Sequence, residues 1–199
     1  MRLWLLYLRS RLAFPALVGL FPIAGLCWFA GQRWGDEPDL FLIATIIGPL
    51  AASAVICVTI GSPFGEVEQS LSRPLVGIRL GHLVALLLAA SVVLAVAATA
   101  WPGAYVEWRY VRNLVGLTGL GLLFARVLGG RLLWAPPLGF AMLSIFQRGA
   151  ASGDAADWAW IVQPADREVA ALLAIGLLLG GLGLASRFGA RDLDERSVG

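Results

Sequence analysis

The chain has 199 residues, 59% of them hydrophobic and only 14% charged, and its mean hydropathy of +0.80 lies well beyond the roughly half apolar, quarter charged make-up of soluble domains. The apolar residues fall into several long blocks separated by short charged stretches, which excludes a single water-soluble core and fits repeated bilayer crossings. The net charge of +2 is small, and the arginines stand at block ends without forming a basic face, which argues against nucleic acid as a partner.

Every residue of the Lys and Arg set is Arg, and Asn113 is the only asparagine, a composition that points to a GC-rich, bacterial coding sequence. Residues 2–11 mix Trp4, Leu5, Leu6, Tyr7 and Leu8 with arginines. They read either as a short helix along the inner interface, rings at headgroup level and guanidinium groups in water, or as an extension of the first span. No small-residue cleavage site follows Arg2, Arg9 and Arg11, so a retained first helix is expected.

The first span is expected over about 12–30, with Pro15 and Pro22 tolerated inside it by packed neighbours. A polar turn at 32–39 carries Asp36, Glu37 and Asp39. The second span follows over 40–60, ending at Gly61, Ser62 and Pro63, and the third over 76–100, ending at Trp101, Pro102 and Gly103. The fourth, about 111–128, is glycine-rich: Gly121, Ala125 and Gly129 recur every fourth residue and predict a shallow stripe for helix packing. The fifth, 132–146, is short and begins near Pro136 and Pro137, which predicts a kinked or partly re-entrant helix and leaves a five-span arrangement open. Residues 147–167 are mainly polar, yet Trp158, Trp160, Ile161 and Val162 precede Pro164, a pattern that predicts a short helix on a membrane face. The last span, 169–186, carries Gly176 and Gly180 at helix-contact spacing, and a charged tail follows.

The expected fold is therefore an all-α polytopic membrane protein, a single transmembrane domain over 1–199 with about six spans. Short amphipathic helices are expected at the amino terminus, in the first cytoplasmic loop and in the last external loop. Arginine distribution sets the orientation. Arg2, Arg9, Arg11, Arg73, Arg79, Arg126, Arg131, Arg187, Arg191 and Arg196 would lie inside, against Arg33, Arg109, Arg112, Arg148 and Arg167 outside, so both termini are expected in the cytoplasm of a plasma-membrane protein. Tryptophans 28, 34, 101, 108, 158 and 160 gather at the outer face and predict an aromatic belt there.

Without lysine a P-loop is impossible, so ATP hydrolysis cannot reside in this chain by that route. His82 is the only histidine, and Cys27 and Cys57 lie in different apolar blocks; no metal or other cofactor site is expected, the thiols read as buried and free, and His82 as an interfacial residue. No nucleophile elbow or zinc-protease pair appears, so an intramembrane enzyme lacks the convergent polar groups it needs. No apolar block has Asp or Glu near its centre, which argues against a proton- or sodium-driven carrier.

The cytoplasmic stretch 65–73 carries the functional expectation. On a helix, Glu66, Gln69, Ser70 and Arg73 share one face by i, i+3, i+4, i+7 spacing, and Val67 and Leu71 stack on another. The same spacing also fits a solvated loop with a Glu/Arg pair worth a few tenths of a kcal/mol. The run Gly65-Glu66-Val67-Glu68-Gln69-Ser70-Leu71-Ser72-Arg73-Pro74-Leu75, followed by Arg79-Leu80-Gly81-His82-Leu83, resembles the coupling-helix region of type-2 ABC exporter permeases. In that family an acidic helix between the second and third spans ends in a Ser/Thr-x-Pro-like turn. The six-span layout is similar too, although His82 stands where the family often has Lys and this chain is shorter. The resemblance implies that Glu66, Glu68, Gln69 and Arg73 contact a separate ATP-binding subunit. ATP and Mg would sit in that partner, and a second membrane subunit, the same chain or a related one, would complete the conduit in the lipid bilayer. The alternative expectation is a non-transporting membrane scaffold or accessory subunit.

Overall fold

Among the described residues, four helical stretches are long and apolar enough to cross a bilayer: Phe14–Trp34, Pro38–Val58, Leu80–Ala98 and Glu168–Ala185. The computed structural model describes residues 13–59, 76–103, 105–129, 132–150 and 158–188, and among these there is helix and turn but no strand. The helices are α1 (Ala13–Trp34), α2 (Pro38–Val58), α3 (Val76–Ala98), α4 (Val106–Leu123), the single turn α5 (Ala125–Leu128), α6 (Ala135–Ala150) and α7 (Glu168–Phe188). The protein is a multi-pass, all-α membrane protein. Phe14, Phe21 and Phe29 on α1, Leu88, Val92 and Val96 on α3, and Leu172 and Leu179 on α7 all face outward, an arrangement that lipid, not water, stabilises.

Local chemistry sets the helix ends. Pro38 at the start of α2 occupies a position whose N–H has no helical partner, and Asp39 complements the positive helix terminus. Pro136 and Pro137 occupy the first turn of α6, so they begin that helix and do not kink it, a difference from the kink that the sequence predicts. Hydroxyls within the apolar helices are satisfied one turn back: Thr45 Oγ1 donates to the Leu42 carbonyl at 2.8 Å, and Ser91 and Ser144 do the same to Leu87 and Phe140.

Two of the six expected spans do not meet the length and apolarity of a crossing helix. The 16-residue α6 rises about 24 Å, short of a hydrocarbon core of roughly 30 Å. Helix α4 starts at Val106, earlier than the expected 111, and thereby takes in Arg109, which is buried with Arg112; it stops at Leu123, where Phe124 bends the chain into α5. Helix α1 continues to Trp34, through residues expected in the turn. Residues 158–167 correct another expectation: they form turns, not a helix on a membrane face, and Ala159 to Gln163 are buried. The amino-terminal and first-loop amphipathic helices expected at 2–11 and 65–73 lie outside the described residues.

Successive long helices run in alternating directions. The carboxyl end of α1, the amino ends of α2, α4 and α7, and Trp101 after α3 share one end of the bundle; the carboxyl end of α2, α5 and the start of α6 share the other. Helix α4 is the hub, packed against α2, α3, α6 and α7. One apolar cluster joins α1, α2, α3 and α4, and a second joins α2, α4, α6, α7 and residues 159–162.

Candidate functional site

Buried polar groups in a membrane bundle need internal partners, and an ionisable side chain there marks a functional candidate. Arg109, Arg112 and Asn113 occupy i, i+3, i+4 positions on one face of α4, and they are 8%, 2% and 0% exposed. Their partners are main-chain carbonyls of residues 161–164, a non-helical strap that enters the bundle just before α7. Arg109 Nη2 donates to the Val162 carbonyl at 2.9 Å. Arg112 Nη1 donates to Pro164 at 2.7 Å and Nη2 to Gln163 at 2.8 Å, while the Asn113 Oδ1 receives Arg112 Nε and Nη2 at 3.3 Å. Asn113 Nδ2 completes the row, donating to Ile161 at 3.1 Å.

That same amide also donates to the Thr45 carbonyl of α2 at 2.8 Å. The reason lies four residues on, at Pro49 inside α2: proline has no N–H, so Thr45 loses its helical donor and Asn113 supplies one from the neighbouring helix. One amide thus ties α2, α4 and the strap together. Burying a guanidinium costs several kcal/mol, and hydrogen bonds to a charged donor return about 1.5–3 kcal/mol each, so Arg112 is held only while its carbonyl partners are in place.

Aromatic side chains frame the cluster. The Arg109 guanidinium lies over the Phe41 ring, 5.4 Å from its centroid, Phe41 meets Trp101 at 5.5 Å, and Trp101 Nε1 donates to the Cys27 carbonyl at 3.0 Å. Trp160 stacks on Phe140, centroids 5.5 Å apart, and its indole fills the space a Cβ on Gly116 would take. Trp101 and Trp160 are buried, so they are pegs in the bundle and not members of the expected belt; Trp28, Trp34, Trp108 and Trp158 are exposed. An open cleft of about 580 Å³ lies beside the cluster, between residues 31–37 and 99–102.

Of the residues singled out from sequence, Glu66, Glu68, Gln69 and Arg73 lie outside the described residues. A Cβ on Gly121 would come 2.7 Å from Cys57 Sγ and 3.0 Å from the Leu133 carbonyl. Ala125 is buried on α5, and Gly129 follows that turn at φ 69°, so the helix break at Phe124 separates both from the stripe of α4. A Cβ on Gly180 would lie 3.4 Å from Leu123, and one on Gly176 would meet open space. The closest crossing of α4 and α7 runs through Gly119 and Gly181: a Cβ on Gly119 would collide with the Leu178 backbone, and one on Gly181 would lie 2.6 Å from the Gly119 carbonyl.

No family model matches this chain, and no curated protein or solved structure does.

Among the described residues no group of His, Cys, Asp and Glu has the geometry to hold a metal. His82 is buried near the start of α3, and Cys27 and Cys57 are buried free thiols in separate helices. What the cluster does is hold carbonyl oxygens at one end of the bundle with donors that carry charge. From sequence, Arg109 falls before the expected fourth span and Arg112 at its outer edge, and both count only as outer-side charges. The signal was their i, i+3 spacing with the sole asparagine next to the second.

Proposed function

We propose that this chain is the membrane-spanning permease subunit of an ATP-driven exporter. It couples to a separate nucleotide-binding subunit to move a hydrophobic or amphipathic substrate out of the cell, with both termini cytoplasmic and α4 and α6 completing six crossings. The observation that carries the reading is the acidic, Ser-x-Pro-like run at 65–75, which lies between α2 and α3 in the sequence. A displacement of that run acts directly on α2, and α2 is bonded through Thr45 and Asn113 to the hub helix. ATP and Mg belong to the partner, and a second membrane subunit faces this one across the conduit.

The test is co-expression with a P-loop ATPase from a neighbouring reading frame, purification in mild detergent and measurement of ATP hydrolysis. A stable complex whose hydrolysis drops when Glu66→Arg or Arg73→Glu is introduced supports the reading; purification of this chain without any nucleotide-binding partner sinks it. One observation favours a second reading, a non-transporting scaffold: the cluster fastens α2, α4 and the start of α7 into one rigid piece. Two copies enclosing a central cavity would exclude that alternative.

A further inference from the structure

The strap is held in an unusual way for a loop. Its own main-chain bonds are local, Val162 to Ala159 and Gln163 to Trp160, and its attachment to the bundle is made by side chains. Trp160, Ile161 and Val162 are 2%, 0% and 3% exposed, set among Leu42 and Ile46 of α2, Leu117 of α4, Ala141 of α6 and Ala174 of α7. Lifting those three side chains out leaves an apolar chamber walled by four helices, with a floor at Gly116 shaped to an indole. Its rim carries the donors of Arg109, Arg112 and Asn113, which together bond four consecutive carbonyls, two of them through Arg112.

Apolar side chains in a chamber and consecutive main-chain oxygens on a row of side-chain donors are the chemistry of peptide binding. The donors spread over about 6 Å of helix axis, and their bonds end on four separate carbonyls, whereas a lipid phosphate would gather its oxygens at one point. We propose that residues 159–164 are a resident, displaceable occupant of a peptide site. The external ligand is an apolar peptide with an aromatic residue followed by aliphatic ones. Its ring takes the place of Trp160, and its carbonyls take the places of residues 161–164 on Arg109, Arg112 and Asn113. This names the substrate class of the exporter proposed above and rests on that reading for its role as cargo; the binding itself does not need it.

The experiment uses the full chain in lipid nanodiscs. The probe is the peptide acetyl-Ala-Trp-Ile-Val-Gln-Pro-amide with a carboxyl-terminal fluorophore, and a scrambled peptide of the same composition is the control. Trp160→Ala, which empties the indole seat, is expected to bind the probe at least ten-fold more tightly than the unmodified chain and to leave the scrambled peptide unbound. Saturating probe is expected to speed hydrogen exchange at residues 158–167 and leave α3 unchanged. Equal binding of the two peptides, no tightening in Trp160→Ala, or binding without faster exchange in the strap each overturns the proposal. Competition by glycerol phosphate at the same site overturns it in favour of a lipid headgroup. If Trp160→Ala loses its helical signal, Trp160→Leu carries the same expectations. No ATPase is present, so the two readings fail separately. Absent peptide binding with intact coupling sinks the peptide site alone, and peptide binding by a chain that captures no ATPase sinks the exporter alone.

Discussion

The indole of Trp160 stands where the first side-chain carbon of residue 116 would be if that residue were not glycine. The fit joins the strap to the middle of α4, and it makes position 116 a sensor of whether the strap is seated.

Gly116→Ala is therefore expected to lower stability by about 1–3 kcal/mol, the range for overpacking a close-packed site. Thermal unfolding in mild detergent measures the loss. The smaller ring of Trp160→Phe in the same chain should recover part of it, and a double variant no better than Gly116→Ala alone would contradict this fit.

Glycines on α4 and α7 should differ sharply although their sequence settings look alike. Gly119→Ala meets the main chain at Leu178, which cannot give way, and is expected to cost about 2 kcal/mol or more, whereas Gly176→Ala opens onto free space and should be neutral or slightly stabilising. Paired melting curves decide between them.

Pro49 and Asn113 should be coupled. Asn113→Ala alone leaves the Thr45 and Ile161 carbonyls without their donor, at about 1–3 kcal/mol for each buried oxygen. In a Pro49→Ala background the helix regains an N–H for Thr45, so the same substitution should cost about 1 kcal/mol less. A double-mutant cycle that returns simple additivity would refute the link.

Arg112→Lys is not expected to substitute. A lysine has one compact ammonium, while the guanidinium fork reaches Gln163, Pro164 and Asn113 together. Loss of at least one charged hydrogen bond puts the expected decrease at about 2 kcal/mol, and hydrogen exchange should rise at 161–164 before it rises in α1. Unchanged protection in the strap would count against the role assigned to Arg112.

The sequence made the four apolar spans legible because length and hydropathy alone decide them, and α3 begins at Val76 as expected. It hid the start of α4, since an arginine at the edge of an apolar block reads as a loop residue unless its partners are known, and those partners lie about fifty residues away in 161–164. Trp160, Ile161 and Val162 looked like a surface helix for a related reason: a short aromatic and aliphatic run among polar residues fits an interface as well as an interior. Pro49 carried a usable hint, because a proline inside a span leaves one carbonyl in need of a donor, and the chain has a single asparagine to offer.

The dependence of α4 on the strap has a consequence for biosynthesis. When α4 leaves the ribosome, Arg109 and Arg112 have no carbonyls to meet, and a helix with two bare cations is a poor substrate for the insertion machinery. Its amino-terminal half has to wait at the headgroup layer until residues 161–164 have been translated. A nascent chain halted before that point would leave the central helix of the bundle unseated.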